Sequence, residues 1–322
     1  MTTATNPKVS FHDYQPELES FRAAVLLGLA REHKQIPPKF FYDERGSQLF
    51  EDILEQAEYY IPTVEKRLYQ EHAADMAQLI GRDAVLIEPG SGSCEKVQLL
   101  LETIRPAAYV PMDISGDFLR KASCDLGAAF PWLHVYAACL DFTHELRLPA
   151  AVPEGRRVVF IPGSSLGNFD LPEAQHFLFQ IRQLVGKGGG LLIGVDRKKD
   201  KAVLERAYND AAGVTADFNL NLLVRINQEL EGNFDLEAFR HEAFYNEQLG
   251  RIEMHLISRK AQTVSIDGEV FRFAEGESIH TENSYKYHPQ EFGTLAQAAG
   301  FQSRQMWTDA GQLFGIYYLD GI

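Results

Sequence analysis

The sequence has little of what would mark a disulfide-stabilised, membrane-spanning or zinc-binding protein. Its 322 residues include three cysteines, an odd number without a short paired spacing, which disfavours a disulfide framework and a zinc site. No apolar run approaches the roughly 18 residues that a membrane-spanning helix needs. The stretch from Met1 to Asp13 lacks a basic segment followed by an apolar one. We therefore expect no signal peptide, no membrane partner and a cytoplasmic location.

Clusters of positive charge are also scarce. The formal net charge is −14, and phosphate binding needs clustered Lys and Arg, so no nucleic-acid partner is expected. The one short basic stretch, 197–201, is interrupted by Asp200 and is interpreted as a solvated loop before a helix rather than an anion site. The ten histidines are scattered without an HExxH or HxH motif, so no metal is expected. We expect a small-molecule substrate and a monomer.

The middle of the chain alternates short apolar runs with amphipathic stretches. The strand-like runs are Ala84–Glu88, Ala107–Met112, His134–Leu140, Arg157–Ile161 and Leu191–Val195. The helical stretches are Ser93–Ile104, Phe118–Leu126 and Pro172–Val185. This alternation predicts an α/β fold whose parallel sheet is covered by helices on both faces. Ligands of such sheets bind where the strands end.

After about Asp200 the pattern changes. Two helical stretches, Ala202–Asn209 and Leu220–Leu230, are followed by mostly strand-like sequence over 234–287, with a hairpin signal at Asp267-Gly268. This block predicts a second lobe inserted into the first, which the N-terminal segment is expected to join. A helix at Pro289–Ala299 and a strand at Phe314–Leu319 then return to the sheet.

The first motif that carries chemistry is the turn Gly90-Ser91-Gly92, which lies between a strand-like run and a helix. Glycines there let the backbone approach a ligand that a Cβ would block. Dinucleotide-binding folds have a third glycine where this chain has Glu95, and an acidic side chain beside a pyrophosphate disfavours NAD. S-adenosylmethionine, with its cationic sulfonium and amino-acid tail, tolerates acidic residues. The alternative is a tight turn that binds nothing.

Three further motifs follow the next predicted strands. Asp113 is placed to accept the ribose hydroxyls of a nucleoside cofactor, or else to cap the next helix. Asp141 and Phe142 offer a carboxylate and a ring to an adenine, or else form a turn with a core aromatic. Gly163 begins a loop that ends at Asn168. The Asn168 side chain can donate to a carboxylate and accept from an amine, or cap the next helix.

With these motifs in place, the chain resembles the histidine Nα-methyltransferases of ergothioneine biosynthesis over nearly its whole length. The matching segments are Lys39–Asp43 with Gly46-Ser47, Glu58–Tyr60, Gly90–Gly92 with Glu95-Lys96, Gly163–Asn168, Arg206–Tyr208, Gly213–Ala216, Phe218-Asn219, Arg251–Met254 and Thr281–Ser284. This many segments in the same order make the resemblance specific.

The resemblance implies S-adenosylmethionine-dependent trimethylation of the α-amine of L-histidine to hercynine, the first step of ergothioneine biosynthesis. It implies a Rossmann-like methyltransferase domain at 64–198 and 288–322, and a second α+β substrate-binding domain at 1–63 and 199–287. The implied donor contacts are Gly90, Lys96, Asp113, Asp141 and Phe142. The implied substrate contacts are Tyr42, Tyr59, Gly163, Asn168, Tyr208, Met254, Glu282 and Ser284, among which Tyr59, Asn168 and Tyr208 are the expected catalytic residues.

In this family-based picture, Asn168 and Tyr208 hold the substrate carboxylate, while Glu282 accepts from a ring N–H and Ser284 meets the other ring nitrogen. One departure from some members is Ile61, which looks like an extra residue before Pro62. It leaves open whether Tyr59 or Tyr60 faces the substrate; we predict Tyr59.

Three rival hypotheses remain. The same fold can act on tryptophan or another aromatic amine, although Glu282 favours an imidazole. An NAD-dependent oxidoreductase is disfavoured by Glu95. A binding module without catalysis is disfavoured by the complete set of implied substrate contacts.

Overall fold

The computed structural model describes residues 8–15, 20–143 and 146–322. The chain divides into two compact units. The first unit comprises Met1–Leu18, Thr63–Arg197 and Tyr287–Ile322, and the second comprises Glu19–Pro62 and Lys198–Lys286. In the described part of the chain, no helix combines the length and apolar character needed to cross a membrane.

The elements of the described residues are numbered in chain order. The strands are β1 (Val9–Asp13), β2 (Lys34–Gln35), β3 (Val85–Pro89), β4 (Ala108–Asp113), β5 (Val135–Cys139), β6 (Arg157–Ile161), β7 (Gly190–Asp196), β8 (Phe239–Asn246), β9 (Arg251–Ser258), β10 (Gln262–Ile266), β11 (Glu269–Phe273), β12 (Ser278–Tyr285), β13 (Phe301–Thr308) and β14 (Phe314–Gly321). The helices are α1 (Phe21–Leu29), α2 (Glu44–Leu54), α3 (Ile61–Ile80), α4 (Glu95–Ile104), α5 (Gly116–Ala129), α6 (Leu171–Val185), α7 (Lys201–Ala207), α8 (Val214–Glu229) and α9 (Pro289–Ala298). Short 3₁₀ helices lie at Pro38–Phe41, Ser165–Asn168 and Leu236–Ala238.

The first unit is built on a sheet with the strand order β1-β5-β4-β3-β6-β7-β14-β13. The neighbours from β1 to β7 are parallel, and β14 is antiparallel to both β7 and β13. The chain runs outward from β3 through β4 to β5 and resumes on the other side with β6, so the strand order switches between β3 and β6. Ligands of open parallel sheets bind beyond the strand ends near such a switch. The predicted Rossmann-like sheet is confirmed.

The strands predicted from apolar runs all lie in this sheet, and each begins and ends within one residue of its predicted bounds. Their pattern is readable because central parallel strands are covered on both faces. Every residue of β3 and of β7 is buried. The late strand predicted at 314–319 is β14, which returns to the sheet beside β7.

Two strands of this sheet carry no apolar run, and both lie at its edges. In β13, residues 302–305 are all exposed. In β1, no residue is fully buried, and Val9 pairs with Val135 of β5. The placement of β1 corrects the prediction that all of 1–63 belongs with the second domain. A short edge strand needs burial on one face only, so its sequence lacks the unbroken apolar run that marks the central strands.

The second unit is an α+β layer with the sheet order β2-β12-β9-β8 and a separate hairpin of β10 and β11. Residues spaced by four on α8, namely Phe218, Leu222 and Ile226, share a core with alternate residues of β9. The predicted hairpin turn is present. Asp267 and Gly268 have φ values of 48° and 81°, and a two-residue type I′ turn needs positive φ at both positions.

Helix α8 begins earlier than the predicted Leu220. The Asp210 carboxylate accepts the backbone N–H groups of Val214 and Thr215, each at 2.8 Å. These bonds satisfy N–H groups that lack partners at a helix start. Gly213, with φ of 78°, makes the sharp entry to the helix. The signal for this start lies before the helix rather than in its apolar face.

Candidate functional site

The glycine turn after β3 is shaped by its neighbours. The N–H groups of Gly90 and Ser91 both donate to the carbonyl of Met112, at 2.8 and 3.0 Å. Gly90 has φ of +71°, and a Cβ there would lie 3.3 Å from the Phe142 ring. Gly92 has φ of +51° with no atom within 4 Å of its Cβ position. The turn therefore presents bare backbone on an open side, as a cofactor cradle requires.

Asp113, the last residue of β4, joins this turn to the next helix. Its Oδ2 accepts the N–H of Gly92 at 3.1 Å, and its Oδ1 accepts the N–H of Ser115 at 3.0 Å. Burial raises the pKa of the Asp113 carboxyl, while backbone N–H donors work in the opposite direction. Each carboxylate oxygen can accept more than one hydrogen bond, so both oxygens can also meet ligand hydroxyls.

An aromatic wall follows β5. The Phe142 ring, which lies against Gly90, is 6.0 Å from the Phe177 ring of α6, and Phe177 stacks on Phe169 at 5.1 Å. Asp141 Oδ1 accepts from the N–H and the hydroxyl of Thr143, at 3.0 and 2.6 Å. A cavity of about 310 Å³ opens beside these rings, lined by Thr143, Phe169, Pro172, Glu173, His176 and Phe177. The wall suits a flat apolar base, and sequence analysis missed Phe169 and Phe177.

Lys96 and Gly163 meet at a buried carboxylate that sequence analysis also missed. Glu65 of α3 is 1% exposed. Its Oε2 pairs with Lys96 Nζ at 3.0 Å, and its Oε1 accepts the N–H of Gly163 at 2.5 Å and the Tyr69 hydroxyl at 3.0 Å. Gly163 has φ of +74°, and a Cβ there would lie 3.1 Å from Lys96 Nζ. Glu65 thus fixes a half-exposed cation and a bare backbone segment after β6.

Asn168 ends the 3₁₀ helix Ser165–Asn168, and its side chain is exposed. The N-cap of α6 is Asp170, which forms a capping box with Glu173. The alternative role of Asn168 as the cap of that helix is therefore wrong, and its amide stays available to a ligand.

Beneath the glycine turn lies Glu88, which is 1% exposed. The Tyr109 hydroxyl donates to its Oε2 at 2.5 Å. Burial raises the pKa of Glu88 to about 8, against the opposing effects of that hydrogen bond and of the Lys96 charge. Glu88 is therefore a buried carboxyl that holds its proton more tightly than an exposed one.

In the second unit, Glu282 and Ser284 lie on β12, with Met254 and Ile252 opposite them on β9. The pairing of β12 with β9 shifts register between His280 and Glu282. Residues two apart on a strand face the same side. Glu282 and Ser284 therefore share the face on which Met254, 2% exposed, joins the core.

Tyr208, at the end of α7, connects to this face through its hydroxyl. The Tyr208 hydroxyl bonds to Ser284 Oγ at 2.8 Å. Lys286 Nζ donates to both oxygens, to Ser284 Oγ at 2.7 Å and to Tyr208 at 3.0 Å. Lys286 is 1% exposed and was missed by sequence analysis, although it continues the alternation of 282 and 284.

Glu282 is the acidic member of this group. Burial raises its pKa to about 7, and the positive charge of Lys286 acts in the opposite direction. A carboxyl poised near neutrality can accept from an N–H as a carboxylate or donate as an acid.

Tyr59 and Tyr60 have different surroundings. The Tyr59 ring meets the Tyr208 ring edge-on, with centroids 5.9 Å apart. Tyr60 instead contacts Lys199, whose Nζ bonds to its hydroxyl and lies 4.5 Å from its ring centroid. The choice of Tyr59 over Tyr60 as the residue that faces the substrate stays a prediction. Tyr42 is 45% exposed and packs edge-on against Phe50 and Phe218.

The outer face of the same sheet holds Glu253, His255 and His280, whose ligand-type atoms lie within 4.8 Å of one another. Glu253 Oε1 accepts from Arg251 at 2.8 Å, and its Oε2 lies 3.1 Å from His255 Nε2. The His255 and His280 rings stack at 4.7 Å. The adjacent guanidinium already neutralises the one carboxylate, so these groups form a largely buried hydrogen-bonded network.

Comparison with known proteins adds the following. A model of a family described as histidine-specific, SAM-dependent methyltransferases matches residues 21–321. The chain is 39% identical over 306 residues to a histidine N-alpha-methyltransferase of Mycolicibacterium smegmatis, covering 92% of this chain and 94% of that protein. It is 36% identical over 304 residues to a histidine N-alpha-methyltransferase of Mycobacterium tuberculosis, with coverage of 92% and 94%. A solved S-adenosylmethionine-dependent methyltransferase from Clostridium acetobutylicum matches with 11% identity and a TM-score of 0.46, over 79% of this chain and 91% of that chain.

Proposed function

The chain belongs to the histidine-specific, S-adenosylmethionine-dependent methyltransferase family, and from that premise we propose that it trimethylates the α-amine of L-histidine to hercynine. This is the first step of ergothioneine biosynthesis. The observation that carries the proposal is the family match over 21–321, which includes the Glu282 and Ser284 pair. The family is histidine-specific, so tryptophan or another aromatic amine is not the favoured substrate.

The first unit supplies the donor site in this proposal. Gly90 and Gly92 give the bare backbone of the cradle, and Asp113 offers its oxygens to the ribose hydroxyls. Phe142 gives an apolar surface to the adenine, with Asp141 near its amino group. Lys96, held by Glu65 at 3.0 Å, offers a cation to the carboxylate of the amino-acid tail. When bound, S-adenosylmethionine supplies a methyl group that its sulfonium charge already activates.

The second unit supplies the imidazole site. Glu282 accepts a ring N–H, and Ser284 meets the other ring nitrogen. Met254 and Tyr42 provide apolar surface to the ring. A site that hydrogen-bonds both ring nitrogens rejects an indole, because one polar group of the site would be left unpaired in the complex.

Asn168 offers its amide N–H to the substrate carboxylate, and Gly163 leaves room for the amine. The Tyr208 hydroxyl gives its proton to Ser284, so Tyr208 contributes its ring to the substrate site and holds Ser284 in place. An α-ammonium must lose a proton before it can attack a methyl group, and the Tyr59 hydroxyl or a water molecule accepts it. Three transfers release three protons in all, and the third leaves a quaternary ammonium with no proton to lose. Catalysis therefore rests mainly on holding the amine in line and excluding water.

The test is a methylation assay with purified protein, S-adenosylmethionine and a panel of free amino acids, followed by mass spectrometry. We expect mono-, di- and trimethylated histidine, with tryptophan and phenylalanine used at least about 100-fold less efficiently. Histidine left unmethylated, or a preference for tryptophan, would contradict the proposal.

The proposal also includes a cytoplasmic monomer that acts on small molecules. The net charge of −14 supports the expectation that no nucleic acid is a partner. Light scattering after size exclusion should give the mass of one 36.3 kDa chain, and a dimer would contradict the monomer.

A further inference from the structure

Lys286 is a buried lysine whose ammonium lies against two hydroxyl groups. Its side chain is 1% exposed, and its Nζ is 2.7 Å from Ser284 Oγ and 3.0 Å from the Tyr208 hydroxyl. The same Nζ is 4.9 Å from the centroid of the Tyr208 ring. Burying an ammonium is costly unless it is well hydrogen-bonded, so a lysine here needs a role that an apolar residue would not fill.

The ammonium decides how the two hydroxyls use their protons. A lysine ammonium only donates, whereas a hydroxyl has one proton and two lone pairs. Ser284 and Tyr208 therefore both act as acceptors toward Lys286. The bond between them, at 2.8 Å, uses one of their two protons. With Tyr208 as its donor, the Ser284 oxygen has both lone pairs engaged and its own proton directed to a further acceptor.

We propose that Lys286 is a specificity-determining positioning residue, which makes Ser284 a hydrogen-bond donor to the unprotonated ring nitrogen of the substrate while Glu282 accepts from the N–H of the other nitrogen. The inference rests on the proposed function of the same site. It specifies the substrate form: a neutral imidazole in one tautomer. An imidazolium would present an N–H to a hydroxyl that Lys286 has already made a donor.

The charges around Glu282 agree with this role. Lys286 is the charged group that acts on Glu282, whereas Glu282 and Tyr208 both act on the Tyr42 hydroxyl, and Met254 lies opposite Glu282 on β9. Lys286 is the cation among them, and its charge lowers the pKa of Glu282, which burial raises to about 7. Without Lys286, Glu282 would hold its proton to higher pH and would stop accepting the ring N–H.

Lys286→Met and Lys286→Gln separate hydrogen bonding from charge. Lys286→Met removes both, and Lys286→Gln keeps an N–H donor without the charge. Lys260→Met is the matched control, because Lys260 belongs to the same unit and pairs with Asp235 on the surface, with 57% of its side chain exposed. The measurements are kcat and KM for histidine across pH, and donor affinity by titration with S-adenosylmethionine.

For Lys286→Met we expect KM for histidine to rise on the order of 30-fold, because Ser284 is no longer held as a donor to the ring nitrogen and Glu282 keeps its proton instead of accepting the ring N–H. Donor affinity should stay within about twofold of wild type. On the acidic side of the pH profile, the pH at which kcat/KM falls should rise by about one unit. The reason is that the pKa of Glu282 rises when the positive charge of Lys286 is removed. Lys286→Gln should recover part of the KM but show the same rise in this pH, and Lys260→Met should match wild type.

Two outcomes would overturn the inference. If the wild-type protein methylates histidine and both Lys286 variants keep its KM and the pH at which its kcat/KM falls, the role of Lys286 is wrong although the proposed function stands. A higher KM without a shift of this pH in either variant also overturns it, because a packing role alone would do that. If Lys286→Met fails to bind the donor and is unfolded, Lys286→Gln decides by the same two measurements. A wild-type protein without histidine methylation contradicts the proposed function itself.

Discussion

The backbone N–H of Gly92 donates to the carboxylate of Asp113 at 3.1 Å, so one side chain ties the glycine turn after β3 to the end of β4. The glycine turn and Asp113, which the sequence offered as two separate motifs, are therefore joined by a hydrogen bond. The same carboxylate is the group proposed to meet the ribose hydroxyls.

Replacing this carboxylate should weaken donor binding. Asp113→Ala removes the acceptor of the Gly92 and Ser115 N–H groups and the proposed ribose contacts. We expect S-adenosylmethionine affinity to fall on the order of 100-fold in a calorimetric titration, since hydrogen bonds to a charged group are lost. The exposed Asp125 on α5 is the control, and Asp125→Ala should bind the donor like wild type. Equal affinities in the two variants would remove Asp113 from the donor site.

The buried carboxylate of Glu65 should matter for folding as well as for the donor. Glu65→Ala leaves the N–H of Gly163 and the Tyr69 hydroxyl without their acceptor and Lys96 without its partner. We expect the free energy of unfolding to fall by about 3 kcal/mol in urea denaturation.

The matched control for Glu65 is Glu71→Ala on the same helix, where the side chain is 56% exposed. Its effect should stay within about 0.5 kcal/mol. A loss of stability no larger than the control's would mean that Glu65 does not organise Lys96 and Gly163.

Glu88 should make the protein less stable as pH rises. Its pKa in the folded protein is about 8, against an ordinary value of 4.5. A carboxyl that binds its proton more tightly when folded contributes stability at low pH, and that contribution is lost as pH rises through the window between these two values. Glu88→Gln keeps the hydrogen-bonding shape without the charge, so its free energy of unfolding should gain about 4 kcal/mol relative to wild type between pH 5 and pH 9. Parallel stability curves for the two proteins over this range would contradict the burial-based explanation.

Loss of Glu282 should affect the substrate rather than the donor. Glu282→Ala removes the acceptor of the ring N–H, so the KM for histidine should rise on the order of 100-fold while donor affinity stays within about twofold. Glu242→Ala is the control, because Glu242 lies on β8 of the same sheet and pairs with Arg240. A similar loss for donor and histidine would argue that Glu282 supports the fold instead of the imidazole.

Sequence alone predicted the strands that are covered on both faces, because their apolar runs are unbroken, as in β3 and β7. It did not predict β1 or β13, whose edge positions leave them with polar sequences. The start of α8 was missed for a related reason, since Asp210 and Gly213 begin that helix before any apolar periodicity appears.

The site residues divide in the same way. Asp113 and Asn168 were predictable because they follow strands that the pattern had located. Glu65 and Lys286 were not, because a single charged residue in a helix or strand shows nothing of its burial. Their importance depends on which atoms surround them, and only the folded chain places Glu65 beside Lys96 or Lys286 beside Tyr208.

The most direct test of the central claim follows the label from a donor with a deuterated methyl group. Purified protein is incubated with this donor and L-histidine, and the products are fragmented in the mass spectrometer to locate each added methyl. The proposed function predicts up to three labelled methyls, all on the α-nitrogen, with the imidazole unlabelled. Label on a ring nitrogen, or no label on histidine while another amine is methylated, would contradict it.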